Sequence, residues 1–277
     1  MDVKKILKEN DFKFAKKFGQ NFLTDENLLD DIVLKSGVNG ETVVVEIGAG
    51  AGTLTRAIAK RAKKVYAFEI DENLKPILTE TLKDFPNAEV IFGDIMKTPI
   101  ETLEKTVGEN YMVVANLPYY ITTPVITLFL EKAARVTGIS VTVQKEVALR
   151  LAAAPKTSDY GAITVAVRLA GEAEIIKEIG RELFLPPPNV DSAVVKITID
   201  KNKLAGVDRK AYRDLVRAAF SMRRKTLANN LIKAYGIPRE QAEAALNKAN
   251  LPVTVRGEEL SEYDYAELLK TVGEYVR

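Results

Sequence analysis

Three glycines at alternate positions constrain this chain more than any other feature. The β-branched run Thr42-Val43-Val44-Val45-Glu46-Ile47 leads into Gly48-Ala49-Gly50-Ala51-Gly52, and a helical stretch from Leu54 to Ala62 follows. A strand that turns through glycine into a helix opens a βαβ unit. Glycine permits the tight turn and lets a ligand approach the backbone, and the helix start behind it offers N–H groups to an anion. The alternation continues through the first 200 residues. Further strands are predicted at 64–70, 88–92, 111–115, 139–144, 163–169 and 193–199, with helical stretches between them. One of these stretches, Glu72 to Lys83, contains Pro76, which shortens or bends it. Seven apolar runs separated by helices predict a largely parallel sheet covered on both faces, an α/β fold.

After Asp200 the strand signals stop. Helices are predicted at 209–220, 225–235, 239–249 and 261–275, punctuated by Gly236, Pro238, Pro252 and Gly257. A domain boundary is therefore placed near residue 201, with a small all-helical domain over 201–277. The formal net charge of +2 hides an uneven distribution. Residues 201–235 carry ten Lys or Arg against two Asp, whereas 236–277 carry five basic and eight acidic residues. A charge run is usually a solvated helix face. Ten cations in 35 residues also attract polyanions, and Arg217, Arg223, Arg224 and Lys225 are the candidate contacts.

The chain has no His, Cys or Trp. That excludes Ser-His-Asp and Cys-His catalysis, His or Cys zinc sites, and disulfides. No metal is expected. No apolar run approaches the roughly 20 residues needed to span a bilayer. The start, Met-Asp-Val-Lys-Lys-Ile, lacks the apolar core of a signal peptide. A cytoplasmic, monomeric protein with no membrane partner is expected.

The acids after the glycines point to a ligand. Glu69 ends the second strand, 21 residues beyond Gly48, where a carboxylate can grip both ribose hydroxyls. Asp94 ends the third strand, within reach of an adenine, and Ile70 and Ile95 follow the two acids. Each acid alone reads as a cap or a surface group. At successive strand C-termini they share one crevice. A nicotinamide dinucleotide and S-adenosylmethionine both suit such a crevice. The dinucleotide pattern is G-x-G-x-x-G, but here the spacing is G-x-G-x-G, and Glu46 precedes it. That spacing favours S-adenosylmethionine and a Rossmann-like class I methyltransferase, with the dinucleotide reading still open.

Asn116-Leu117-Pro118-Tyr119 ends the fourth strand. Such a segment is often only a turn. Its chemistry allows a sharper reading. The exocyclic amine of adenine is a poor nucleophile because its lone pair is conjugated into the ring. Two acceptors that bind both N–H groups localise the lone pair. The Asn116 side chain supplies one, and the Leu117 carbonyl, held extended by Pro118, supplies the other. Tyr119 stacks on the base. No general base is required, because alignment and desolvation provide most of the rate. A second ring, Phe184, opens Phe184-Leu-Pro186-Pro187-Pro188-Asn189-Val190-Asp191-Ser192. The proline run reads first as a rigid loop. It also suits a ring held against the other face of a flipped adenine.

Taken in order, these segments resemble the small-subunit ribosomal RNA adenine dimethyltransferases, the kasugamycin-resistance methyltransferase family. Phe18-Gly19-Gln20-Asn21-Phe22-Leu23 looks like the family's opening motif, and the likeness implies that Gln20, Asn21 and Leu23 line the cofactor site within a segment 1–24. The glycine loop, Glu69, Asp94, Asn116–Tyr119 and Phe184–Ser192 follow in the family's order. Phe220-Ser-Met-Arg223-Arg224-Lys225-Thr226-Leu227 resembles its basic C-terminal motif, and Tyr120 departs from many members. The resemblance implies transfer of four methyl groups to the N6 atoms of two adjacent adenines, in a hairpin near the 3′ end of small-subunit rRNA. The implied substrate is an assembling subunit, and the C-terminal domain is implied to bind it. Two alternatives remain. One is a large-subunit rRNA adenine methyltransferase. The other is an RNA-binding assembly or transcription factor with the same fold and little turnover.

Overall fold

A computed structural model describes residues 3–14 and 18–276. Of the segment 1–24 expected to line the site, residues 1, 2 and 15–17 lie outside the described residues. Met1–Ala148 with Ala173–Ile199 form one compact unit, and Leu149–Glu172 with Asp200–Arg277 form a second. The second unit thus groups residues 149–172 by packing with the C-terminal residues.

The chain begins with α1 (Val3–Glu9), β1 (Phe22–Leu23), α2 (Glu26–Ser36), β2 (Val43–Ile47), α3 (Thr53–Ala59) and β3 (Lys64–Glu69). Next come α4 (Lys75–Thr81), β4 (Ala88–Phe92), α5 (Ile100–Val107), β5 (Tyr111–Asn116), α6 (Thr122–Lys132), β6 (Val136–Gln144) and α7 (Lys145–Leu151). Then follow α8 (Ala162–Ala170), β7 (Gly171–Ile179), β8 (Phe184–Leu185) and β9 (Ser192–Ile199). The last helices are α9 (Arg209–Ala219), α10 (Leu227–Tyr235), α11 (Arg239–Lys248) and α12 (Glu262–Gly273).

The large sheet has the order β4-β3-β2-β5-β6-β9-β7. β2 pairs in parallel with β3 and β5, β3 with β4, and β5 with β6, while β9 runs antiparallel to β6. Every residue of β2 is buried, as expected for a central strand covered on both faces. The strand order reverses between β2 and β5, and a crevice opens at the C-terminal ends of strands at such a point. Pro76 sits in the first turn of α4 and starts that helix after a short 3-10 turn, Glu72–Leu74. The described helices include none long and apolar enough to cross a membrane.

One strand expectation needs correction. The run 163–169, read as the sixth strand, is helical and lies in α8. Its β-branched residues favour strand only weakly, and tertiary packing overrides that preference. Val165 and Leu169, one helical turn apart, enter the same buried cluster as Tyr212, Leu215 and Leu268. Thr164 fastens the first turn, accepting from Gly161 N at 3.1 Å and donating to the Arg150 carbonyl at 2.6 Å. The strand follows instead at β7, on the sheet edge, where Glu172, Glu174 and Glu178 interrupt the apolar signal. Charges of this kind protect an edge from pairing with another chain. A separate two-stranded ladder also escaped the sequence. β1 and β8 pair antiparallel, with Phe22 opposite Leu185 and Leu23 opposite Phe184.

In the second unit the predicted helix from Lys225 begins later, at Leu227. Arg223, Arg224 and Lys225 therefore lie in the turn between α9 and α10. Buried Asn230 shapes that turn by donating to the carbonyls of Ala219 (2.6 Å) and Met222 (3.4 Å).

Candidate active site

One cavity at the C-terminal ends of the first unit's strands is lined by every candidate catalytic and cofactor residue: Gln20, Asn21, Leu23, Gly48, Gly50, Glu69, Ile70, Asp94, Ile95, Asn116, Leu117, Pro118, Tyr119 and Phe184. The same cavity is lined by Phe22, Phe68 and Met96, for which the sequence offers no signal, and by Tyr120 beside Tyr119.

The glycine turn forms the floor. Gly48, Gly50 and Gly52 all have positive φ, at 79°, 57° and 81°. That region is open to glycine and costs other residues roughly 1–2 kcal/mol. Space demands glycine as well. A Cβ on Gly50 would lie 2.9 Å from the Phe22 ring, and one on Gly52 would lie 2.8 Å from Thr81 Cγ2.

Glu69 pins this turn to the end of β3. Its Oε2 accepts from Gly50 N and its Oε1 accepts from Asp71 N, each at 2.8 Å. Each oxygen keeps a further lone pair for a ligand hydroxyl. Burial pushes the Glu69 pKa upward, against these backbone N–H groups, which pull it down. Gln20 Nε2 donates to Asp71 Oδ2 at 2.9 Å, which joins the opening motif to the same corner. Asp94 accepts from Met96 N at 2.9 Å through Oδ1, and its Oδ2 lies 3.7 Å from Lys97 Nζ.

Asn116 is oriented by one side-chain hydrogen bond among the described residues. Its Nδ2 donates to the Asn21 carbonyl at 2.8 Å. Only the amide nitrogen can donate to a carbonyl, so the side-chain oxygen is left as an acceptor. Tyr119 is fixed in turn by its hydroxyl, 2.7 Å from Ser192 Oγ. Burial pushes the Tyr119 pKa up, so the phenol stays neutral. The opening motif, the Asn116 segment and the Phe184–Ser192 segment, far apart in sequence, are thus locked together by two side-chain contacts and the β1–β8 ladder.

Glu46 behaves differently from the other acids. It is 0% exposed, and neither carboxylate oxygen has a hydrogen bond of proper geometry among the described residues. Burial pushes its pKa up to about 8, Glu69 adds to the rise, and the Thr55 hydroxyl opposes it. The folded protein therefore holds a proton on Glu46 that the unfolded chain releases above its ordinary value of 4.5. Stability contributed by this proton is complete below that value and is lost as pH rises to about 8. Glu46→Gln keeps the shape without the titration. Its gain in stability over the unmodified protein should be larger at pH 8 than at pH 5 by a few kcal/mol, read from denaturant unfolding at both pH values. An equal gain at both would place the proton elsewhere.

The candidate RNA contacts lie in the second unit and differ among themselves. Arg223 is 59% exposed, yet it is tied to Glu258 Oε2 at 3.3 Å and to the Ser158 carbonyl. Arg224 and Lys225 are exposed on the same turn. Arg217, on α9, lies 3.8 Å from Asp214.

Comparison with known proteins agrees over nearly the whole chain. The family described as "Ribosomal RNA adenine dimethylase" matches residues 11–271. A "Ribosomal RNA small subunit methyltransferase A" of Geobacillus thermodenitrificans is 44% identical over 275 residues, covering 96% of this chain and 93% of the relative. The protein of that name from Clostridioides difficile is 43% identical over 269 residues, covering 96% and 93%. Among solved structures, a dimethyladenosine transferase from Plasmodium falciparum superposes with a TM-score of 0.77 at 25% identity, covering 91% of this chain and 98% of that one. The 23S rRNA methyltransferase ErmE superposes with a TM-score of 0.70 at 28% identity, covering 91% and 100%.

Proposed function

The chain belongs to the ribosomal RNA adenine dimethylase family, and from that premise we propose that it dimethylates adenine in small-subunit rRNA with S-adenosylmethionine as donor. The reacting atoms are the N6 atoms of two adjacent adenines in a hairpin near the 3′ end. The family relatives at 43–44% identity carry the choice of the small subunit. The observation that carries the chemistry is the orientation of Asn116, whose amide nitrogen is taken up by Asn21 and whose oxygen is left to accept.

The cavity suits the donor. The Gly48–Gly50 turn, the Glu69 carboxylate with its remaining lone pairs, and the neighbouring Asp94 form a cradle for a ribose and an adenine. Gln20, Asn21, Leu23, Gly48, Ile70 and Ile95 complete it. When bound there, S-adenosylmethionine supplies an electrophilic methyl group. The chain's own residues prepare the other reactant. Asn116 Oδ1 and the Leu117 carbonyl accept the two N–H bonds of the target amine and direct its lone pair. Tyr119 and Phe184 hold the base between two rings, and Pro118 fixes the turn that carries the acceptors. No side chain has to take the proton, which leaves to solvent. The absence of His therefore costs the reaction nothing.

The basic turn of the second unit supplies affinity for the phosphate backbone. Arg224 and Lys225 make this contact, and Arg223 braces the turn against Glu258 and Ser158. Arg224→Glu with Lys225→Glu should weaken binding to small subunits and lower the salt slope of log K by about one for each phosphate no longer neutralised. A filter-binding titration across salt concentrations reads both. An unchanged slope would leave the turn without a role in binding.

The reading is tested by offering methyl-labelled S-adenosylmethionine with small and large subunits that lack the modification. Label should enter small-subunit rRNA. Label confined to large-subunit rRNA would favour the activity named for ErmE. Binding to the subunit without label would favour an assembly factor.

A further inference from the structure

Tyr120 stands out among the residues around the cavity. It is 62% exposed, the most exposed of the large hydrophobic side chains among the described residues, yet it lines the cavity beside Tyr119. Its hydroxyl makes no hydrogen bond among the described residues. It sits in the 3-10 turn Tyr119–Ile121, closed by Ile121 N donating to the Pro118 carbonyl at 3.1 Å. Gly19, with φ of 58°, backs it from the opening motif. A Cβ on Gly19 would lie 3.5 Å from Tyr120 Cε1 and 3.4 Å from Pro118 Cβ. The ring is thus braced on one side by bare backbone and open to solvent on the other.

Solvent exposure of a tyrosine ring at the mouth of a nucleobase cavity has a direct use. The proposed reaction draws one of two adjacent adenines inward, and the neighbouring base loses its stacking partner at the mouth. A sequence-tolerant surface for such a base is an aromatic face. We propose that the Tyr120 ring stacks on the base next to the reacting adenine, so that the protein holds two consecutive bases at once. The inference rests on the functional reading above and adds a residue that contacts the substrate. Tyr119 and Phe184 serve the reacting base, and Tyr120 serves its neighbour. The contact uses the ring and not the hydroxyl.

Steady-state methylation of small subunits separates these roles. Tyr120→Ala should raise KM for the subunit about tenfold, in the lower part of the range for removing a base–aromatic stack. It should leave the affinity for S-adenosylmethionine within about twofold, measured by calorimetry on the same preparation. Tyr120→Phe should rescue KM to within about twofold, because the ring is retained. An alanine variant with the KM of the unmodified protein would overturn the inference. So would a phenylalanine variant as impaired as alanine, which would assign the effect to the hydroxyl, or a loss confined to cofactor affinity, which would make the ring a wall of the cofactor site. A wild-type protein that labels no subunit contradicts the functional reading itself and takes this inference with it. That result is distinct from normal labelling that is indifferent to Tyr120.

Discussion

Asn116→Ala should lower single-turnover methyl transfer by about 10²–10³-fold, the usual cost of removing one preorganised hydrogen-bonding group from a reacting centre. Subunit binding should be kept, since the basic turn is untouched. The reason lies in the contact that orients the side chain. Asn21 takes the amide nitrogen through its carbonyl at 2.8 Å, so the oxygen is held as an acceptor before the substrate arrives. Asn116→Asp is expected to fail as well. A carboxylate would face the Asn21 carbonyl without a proton between them, and repulsion would turn it out of position. An alanine variant that methylates at the normal rate would remove Asn116 from the mechanism.

The second large effect is expected at Glu69, where glutamine should be nearly as damaging as alanine. Both carboxylate oxygens accept from backbone N–H groups, Gly50 and Asp71, at 2.8 Å. A carboxamide has only one acceptor oxygen, so its NH₂ group must confront one of those donors. A buried donor left unpaired costs about 1–3 kcal/mol. The loss falls on the turn that carries Gly50, so it should appear as cofactor affinity reduced by about 10–100-fold in calorimetric titration. A glutamine variant that binds S-adenosylmethionine normally would show that neither the turn nor the ribose depends on the second oxygen.

Sequence reading and structure agree wherever chemistry and backbone demand the same residue. Gly48, Gly50 and Gly52 were legible because each holds a left-handed φ, and Gly50 and Gly52 also leave no room for a side chain. The central strands were legible because parallel, doubly covered strands are continuous apolar runs. Edge strand β7 was not, since its glutamates hide the pattern and the apolar run beside it has the composition of a strand. The candidate residues around the cavity could be named one motif at a time. How the motifs meet could not. The β1–β8 ladder is only two residues long on each side, too short for any periodic signal. The contacts Asn116–Asn21 and Tyr119–Ser192 span 95 and 73 residues of sequence. Arg223 shows the opposite limit. Its charge reads as an RNA contact, and its brace against Glu258 and Ser158 becomes visible only in the fold.

Glu46 illustrates a residue whose type is legible in the sequence but whose state is not. An acid before the glycines suits a methyl-donor site. The structure buries it within β2, outside the residues that line the cavity, and burial keeps it protonated.

As proposed above, this chain methylates N6 of adjacent adenines in small-subunit rRNA by orienting the amine with Asn116 and Leu117. The most direct measurement is mass spectrometry of nuclease fragments of that rRNA, after unmodified small subunits have reacted with the protein and S-adenosylmethionine. The expected result is one fragment from near the 3′ end that carries four methyl groups as two N6,N6-dimethyladenosines, absent when the Asn116→Ala protein is used. A fragment without methyl groups, or methylation that persists undiminished with Asn116→Ala, would contradict it.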